Sequence, residues 1–131
     1  MIALPLFDGK NRFRVVQLNH TELVLVDYSY LKEREMINLT DYHRLWVQEK
    51  LNTSFIANYI GTYGTPAYMK AAYQFTEETK SNIACGAFLG INGPKVALLK
   101  GIVYFMNVNF KAFDLEEEAL TFVTRQTKIN D

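Results

Sequence analysis

Residues 81–122, SNIACGAFLGINGPKVALLKGIVYFMNVNFKAFDLEEEALTF, decide the fold. Ile83 to Leu89 is a continuous apolar run of strand length, the pattern of a strand buried on both faces. Asn92-Gly93-Pro94 is a turn leading into a helix start. Lys95 to Met106 reads as an apolar helix, and Asn109 to Phe113 as a short strand. Asp114 then caps a final helix, with Glu117 three residues on completing a capping box. A βαβα succession of this kind needs crossover connections, so it predicts parallel strands covered by helices.

The segments upstream extend the same sheet. Arg12 to Leu18 and Glu22 to Tyr28 read as two strands joined by the polar turn Asn19-His20-Thr21. The first alternates charged and apolar residues, which suits an edge, while the second is almost wholly apolar and suits the centre. From about Lys32 to Leu51 the period is helical, with Met36, Leu39, Tyr42, Leu45 and Trp46 near one face. Thr40 and Asp41 are poor interior helix residues and predict a kink. Phe55 to Gly61 reads as the next strand. Thr65 then caps a helix with Pro66 in its first position, running to Lys80. With no repeat, linker or low-complexity tract, residues 1–131 form one domain. The predicted class is α/β: a mixed, mostly parallel sheet of about five strands covered by about four helices.

Composition narrows the possible roles. The chain is 49% hydrophobic and 21% charged, which excludes a disordered chain. Its 14 basic and 14 acidic residues leave a net charge of +0, without the basic excess that nucleic-acid binding requires. Low net charge together with eight Tyr and nine Phe favours association, either with a protein partner or as a homodimer. A single cysteine, Cys85, allows no intrachain disulfide and points to a reducing, cytoplasmic setting. The start MIALPLFDGK lacks the basic and long apolar regions of a signal peptide, and no apolar run has the length of a transmembrane segment.

Taken together, LVLVDYSYL at 23–31, the Tyr68-Met69-Lys70 helix after Gly64-Thr65-Pro66, and the run from Ile83 to Leu120 resemble the SpoIIAA-like family. These are small bacterial proteins with a STAS-type fold, related to anti-sigma-factor antagonists. The resemblance spans roughly Phe13 to Val123 and rests on apolar patterns and turns. It implies a STAS-type domain acting as a regulatory or protein-interaction module, without catalytic residues or cofactor. Phosphorylated antagonists carry a serine at the start of the helix after the third strand. The matching stretch here, Ile60 to Thr65, has no serine, and its only aliphatic hydroxyls are Thr62 and Thr65.

In a parallel sheet the carboxyl ends of the strands share a rim with the helix N-termini, whose free N–H groups can hold an anion or a partner. The candidate rim residues are Asp27, Gly61, Thr62, Tyr63, Thr65, Asn92 and Gly93; the glycines serve tight turns equally well. Gly90 to Lys95 lacks the length and ending of a phosphate loop. His20 and His43 read as surface residues without metal-ligand spacing. Cys85 reads as a small buried hydrophobe. Ser29, Ser54 and Ser81 lie in no nucleophile elbow. Glu116, Glu117 and Glu118 suit a solvated helix start.

The helix Lys95 to Met106 has a polar face of little more than Lys95, Lys100 and Gly101. Such a helix is buried or binds something. Leu99, Ile102, Val103, Tyr104 and Met106 are therefore candidates for a self-association face or the wall of an apolar pocket, with Leu99 and Tyr104 placed on the outer side. Two functions follow from the sequence. One, implied by the resemblance, is a non-enzymatic bacterial regulatory or interaction module that docks a protein at the Thr62–Thr65 rim. The alternative is a carrier or sensor of a small apolar or amphipathic ligand.

Overall fold

The computed structural model describes residues 2–129. In chain order the elements are β1 (Phe13–Leu18), β2 (Thr21–Asp27), α1 (Glu33–Gln48), β3 (Thr53–Asn58), α2 (Pro66–Thr79), β4 (Ile83–Leu89), α3 (Pro94–Met106), β5 (Phe110–Phe113) and α4 (Glu116–Ile129), with one 3-10 turn at Lys80–Asn82. The five strands form one sheet in the order β1-β2-β3-β4-β5. Sheet order equals chain order because each crossover helix returns the chain to the next free edge.

The β1–β2 ladder is antiparallel, with Leu18 opposite Thr21, whereas β2–β3, β3–β4 and β4–β5 are parallel. The sheet is thus a mixed one, and the antiparallel hairpin at its β1 edge makes "mostly parallel" too strong a description. The continuous apolar run Ile83–Leu89 lies between β3 and β5, where both faces are covered.

Side chains alternate across the sheet and build two cores. Val24, Val26, Phe55, Ala57, Phe88 and Phe110 face α1, α2 and α3, meeting Met36, Tyr68, Phe75 and Ile102. Leu23, Leu25, Ile56, Cys85, Ala87 and Leu89 face the other way, against Ala119 and Val123 of α4 and Leu6 of the N-terminal segment. The Leu6 N–H donates to Glu116 Oε2 at 2.9 Å, fastening that segment to the start of α4.

Three local expectations need correction. Helix α1 runs unbroken through Thr40 and Asp41. Its inner face is Met36, Thr40, His43 and Val47, at spacings of four, three and four, while Tyr42 and Leu45 are each 58% exposed. Burial inside the helix-covered core holds those two polar side chains inward, and the larger apolar ones beside them lie at the periphery. Helix α4 begins at Glu116, and Leu115 provides the first carbonyl, to the Ala119 N–H. Asp114 therefore sits one residue too early to be its cap.

Candidate functional site

The parallel strands bring the predicted rim together. The Tyr28 N–H donates to the Asn58 carbonyl at 2.9 Å, Tyr59 N–H to Leu89 at 2.8 Å, and Tyr30 N–H to Ile60 at 2.9 Å. Gly90, at φ +75°, lets β4 leave the sheet close to Ile60: an added Cβ would lie 2.5 Å from the Ile60 nitrogen. Gly61 is covered by the Tyr30 ring, and Tyr30 itself holds a positive φ of 61°.

The rim is not a uniform anion cradle. Asp27 is buried, accepts from the Ser29 N–H at 3.0 Å and from Asn58 Nδ2 at 3.3 Å, and pairs with Arg12 at 3.7 Å. Its carboxylate is used internally and would repel an anion. Thr62 is also buried, its hydroxyl donating to the Tyr59 carbonyl at 2.7 Å. Thr65 is committed as the α2 cap, accepting from the Tyr68 N–H at 3.2 Å. Asn92 and Gly93 are exposed, and the Asn92 carbonyl accepts from the Lys95 N–H at 3.2 Å. Tyr63 is 81% exposed and free to meet another molecule.

Behind this rim, between the sheet and helices α1 to α3, lies a cavity of about 80 Å³. Its exposed wall residues Tyr63 and Gly64 mark the mouth, with Lys95 and Leu98 of α3 alongside. Helix α1 starts past the end of β2 and runs back along the sheet, so His43 lies about 15 Å along the helix from Glu33, toward the far end. Aromatic rings make much of the interior. Phe55 meets Phe75, Phe88 and Phe110 edge-on with centroids 5.2–6.1 Å apart.

The polar groups of the wall fall into two sets. In the first, Tyr28, Thr40, Tyr68 and Tyr59 form a chain of hydroxyls: Thr40 Oγ1 is 2.9 Å from both the Tyr28 and Tyr68 oxygens, and Tyr68 is 2.6 Å from Tyr59. Burial pushes all three phenols above their ordinary pKa, so they remain neutral donors. Apart from Thr62, Thr76 and Lys95, whose polar atoms bond to backbone carbonyls, the second set is His43. The expectation of a surface histidine fails: its relative exposure is 3% and its Nε2 has no hydrogen-bond partner among the described residues. The neighbouring rings of Phe13, Phe55 and Phe75, with centroids 4.7–5.6 Å away, offer only weak aromatic contacts. Burial alone lowers its pKa to about 3, so the ring is neutral near pH 7. A buried polar atom left unpaired costs about 1–3 kcal/mol, and such an atom calls for an explanation.

Helix α3 divides its apolar residues between two roles. Leu99 and Ile102 line the cavity, correcting the placement of Leu99 on the outer side. Val103 and Met106 pack half-buried against the same core. Tyr104, 81% exposed, and Phe105, 75% exposed, point outward. The five α3 candidates are thus not one face.

Cys85 is buried in β4, its thiol donating to Ser54 Oγ at 3.4 Å and its pKa raised by burial, which disfavours the reactive thiolate. His20 lies exposed in the β1–β2 turn. Among the described residues no group of three or more His, Cys, Asp or Glu side chains converges, and no helix is long and apolar enough to cross a membrane. No known protein family matches the chain, and no curated protein matches it.

The apolar character of α3 signals one wall of the cavity, lined by Leu99 and Ile102, but the other walls come from separate elements that touch only after folding. A second signal is the 36-40-43-47 spacing of α1, which places Thr40 and His43 on a single stripe with Met36 and Val47.

Proposed function

We propose that this domain is a non-enzymatic carrier or sensor of a small, largely apolar ligand held between the sheet and helices α1 to α3. The observation that carries this reading is the aromatic cavity of about 80 Å³, with few polar groups in its wall. Ligand sites are concave and mostly apolar, with a few placed polar atoms for orientation. A single water needs about 10–15 Å³, so this cavity accepts a group of several heavy atoms. Native mass spectrometry of protein never exposed to denaturant tests the reading, with toluene added as an apolar probe. A mass increment that Leu99→Trp abolishes supports it. An unliganded mass at every toluene concentration removes it.

A second reading makes the domain a cytoplasmic regulatory module of the SpoIIAA-like, STAS-type kind, docking a bacterial protein partner at the rim. Exposed apolar side chains favour it: Tyr30, Ile60 and Tyr63 gather around Gly61, at 75%, 46% and 81% exposure. A second depression beside them includes Gly61, Tyr63 and Thr65. The bulky Tyr30 at positive φ adds local strain of the kind that gathers at functional sites. Its test is a partner recovered from the host by the wild type and lost with Tyr63→Asp. Recovery by both proteins alike argues against docking at this rim.

A further inference from the structure

We infer that the ligand is a small uncharged ring compound bearing one hydroxyl, and that this hydroxyl pairs with His43 Nε2 inside the cavity. The inference rests on the carrier reading and specifies the chemistry of its ligand.

Nearly every polar atom of the cavity wall already has a partner. The hydroxyls of Tyr28, Thr40, Tyr68 and Tyr59 make three hydrogen bonds among themselves, so each already has a partner. Thr62 donates to the Tyr59 carbonyl and Thr76 to the Ala72 carbonyl. Lys95, at the mouth, directs its ammonium to the Tyr59 carbonyl at 3.1 Å. Of the wall atoms, His43 Nε2 alone is both buried and without a hydrogen-bond partner among the described residues. A ligand atom placed against it gains a hydrogen bond without breaking one.

The neutral imidazole has one donor nitrogen and one acceptor, and a hydroxyl, being donor and acceptor at once, fits Nε2 in either tautomer. A carboxylate does not fit, because the rings packed against His43, those of Phe13, Phe55 and Phe75, bring no cation. Burying such a charge without a partner is strongly unfavourable. The remaining wall is aromatic and aliphatic, with Phe88, Leu99 and Ile102 placed to hold a flat apolar body. At about 10–15 Å³ for each water-sized group, 80 Å³ accommodates on the order of five to eight such groups, the size of a single substituted ring.

Phenol, toluene and benzoate separate the possibilities, titrated into isotope-labelled full-length protein and followed by amide and imidazole nitrogen resonances. Phenol is expected to bind about tenfold more tightly than toluene, the size of one net hydrogen bond. It should also shift the His43 Nε2 resonance, which toluene leaves in place. In His43→Leu the preference should vanish, with phenol and toluene binding alike. Because that variant replaces a buried residue, the wild-type ranking stands as a test without it. Equal affinity of phenol and toluene in the wild type overturns the His43 assignment while leaving the apolar cavity as a binding site. Benzoate binding more tightly than phenol overturns the uncharged class. If no probe perturbs any cavity resonance, both the inference and the carrier reading fall.

Discussion

The hydroxyls of Tyr59 and Tyr68 lie 2.6 Å apart, joining the end of β3 to the first turn of α2 across the cavity wall. Thr40 continues the chain from Tyr68 to Tyr28, so one α1 hydroxyl connects two strand ends to a helix. Thr40→Val keeps the shape of the side chain and removes that link. Both neighbouring phenols are buried and lose a partner, so the expected loss is about 1–3 kcal/mol in urea unfolding. An unchanged midpoint means that the chain of hydroxyls contributes nothing to stability.

Two glycines in and after β4 differ in what an added methyl meets. At Gly86 a Cβ would lie 2.4 Å from Phe55 Cζ and 3.0 Å from Phe110 Cδ1, both side-chain atoms with some freedom. Gly86→Ala should cost about 1–3 kcal/mol, as overpacking does. At Gly90 the Cβ would lie 2.5 Å from backbone nitrogen of Ile60, at a φ of +75° that disfavours any side chain. Gly90→Ala should therefore be the more damaging of the two, and thermal unfolding of the pair decides it. The reverse ranking contradicts this account of how β4 passes the rim.

The strand and helix grammar of residues 81–122 is legible because each element there has one dominant local signal. Apolar continuity marks β4, Gly93-Pro94 marks the α3 start, and the switch from period 3.6 to a short strand marks β5. Helix α1 is legible as a helix but not in its orientation. Leu39, Leu45 and Trp46 outweigh Thr40 and His43 in any hydrophobicity count, yet the two polar residues are the buried ones. Their inward placement depends on Tyr28, Tyr68 and the phenylalanines, which come from other elements. The rim is legible in the same partial way. Strand direction brings its residues together, but the internal use of Asp27, Thr62 and Thr65 depends on side-chain partners remote from sequence pattern.

Self-association, if it uses α3, uses its outer side. Tyr104 and Phe105 are 81% and 75% exposed, with ring centroids 5.1 Å apart, and exposed aromatics of this kind are enriched at interfaces. Sedimentation velocity at high micromolar concentration is expected to show a dimer for the wild type and a monomer for Tyr104→Lys with Phe105→Lys. The circular dichroism spectrum should not change, since neither side chain is in the core. A monomeric wild type under those conditions removes the dimer. Leu99→Lys probes something else, because Leu99 faces the cavity: it should weaken binding of an apolar probe.

The buried imidazole also sets a pH dependence. The His43 pKa is lowered from 6.5 to about 3, with burial as its cause. Above pH 6.5 the ring is neutral in both folded and unfolded chains and contributes no pH dependence. As pH falls below 6.5 the unfolded chain takes up a proton at this position and the folded one does not, so stability decreases until about pH 3, where the folded ring protonates too. At 1.36 kcal/mol per pH unit, the contribution is a loss of about 2 kcal/mol between pH 7 and pH 5. Urea unfolding of the wild type and His43→Leu at both pH values isolates it, because groups common to both proteins cancel in the difference. The wild type should lose about 2 kcal/mol more than the variant on acidification. Parallel losses in the two proteins would mean that water or a proton reaches the ring, and that the cavity is open around His43.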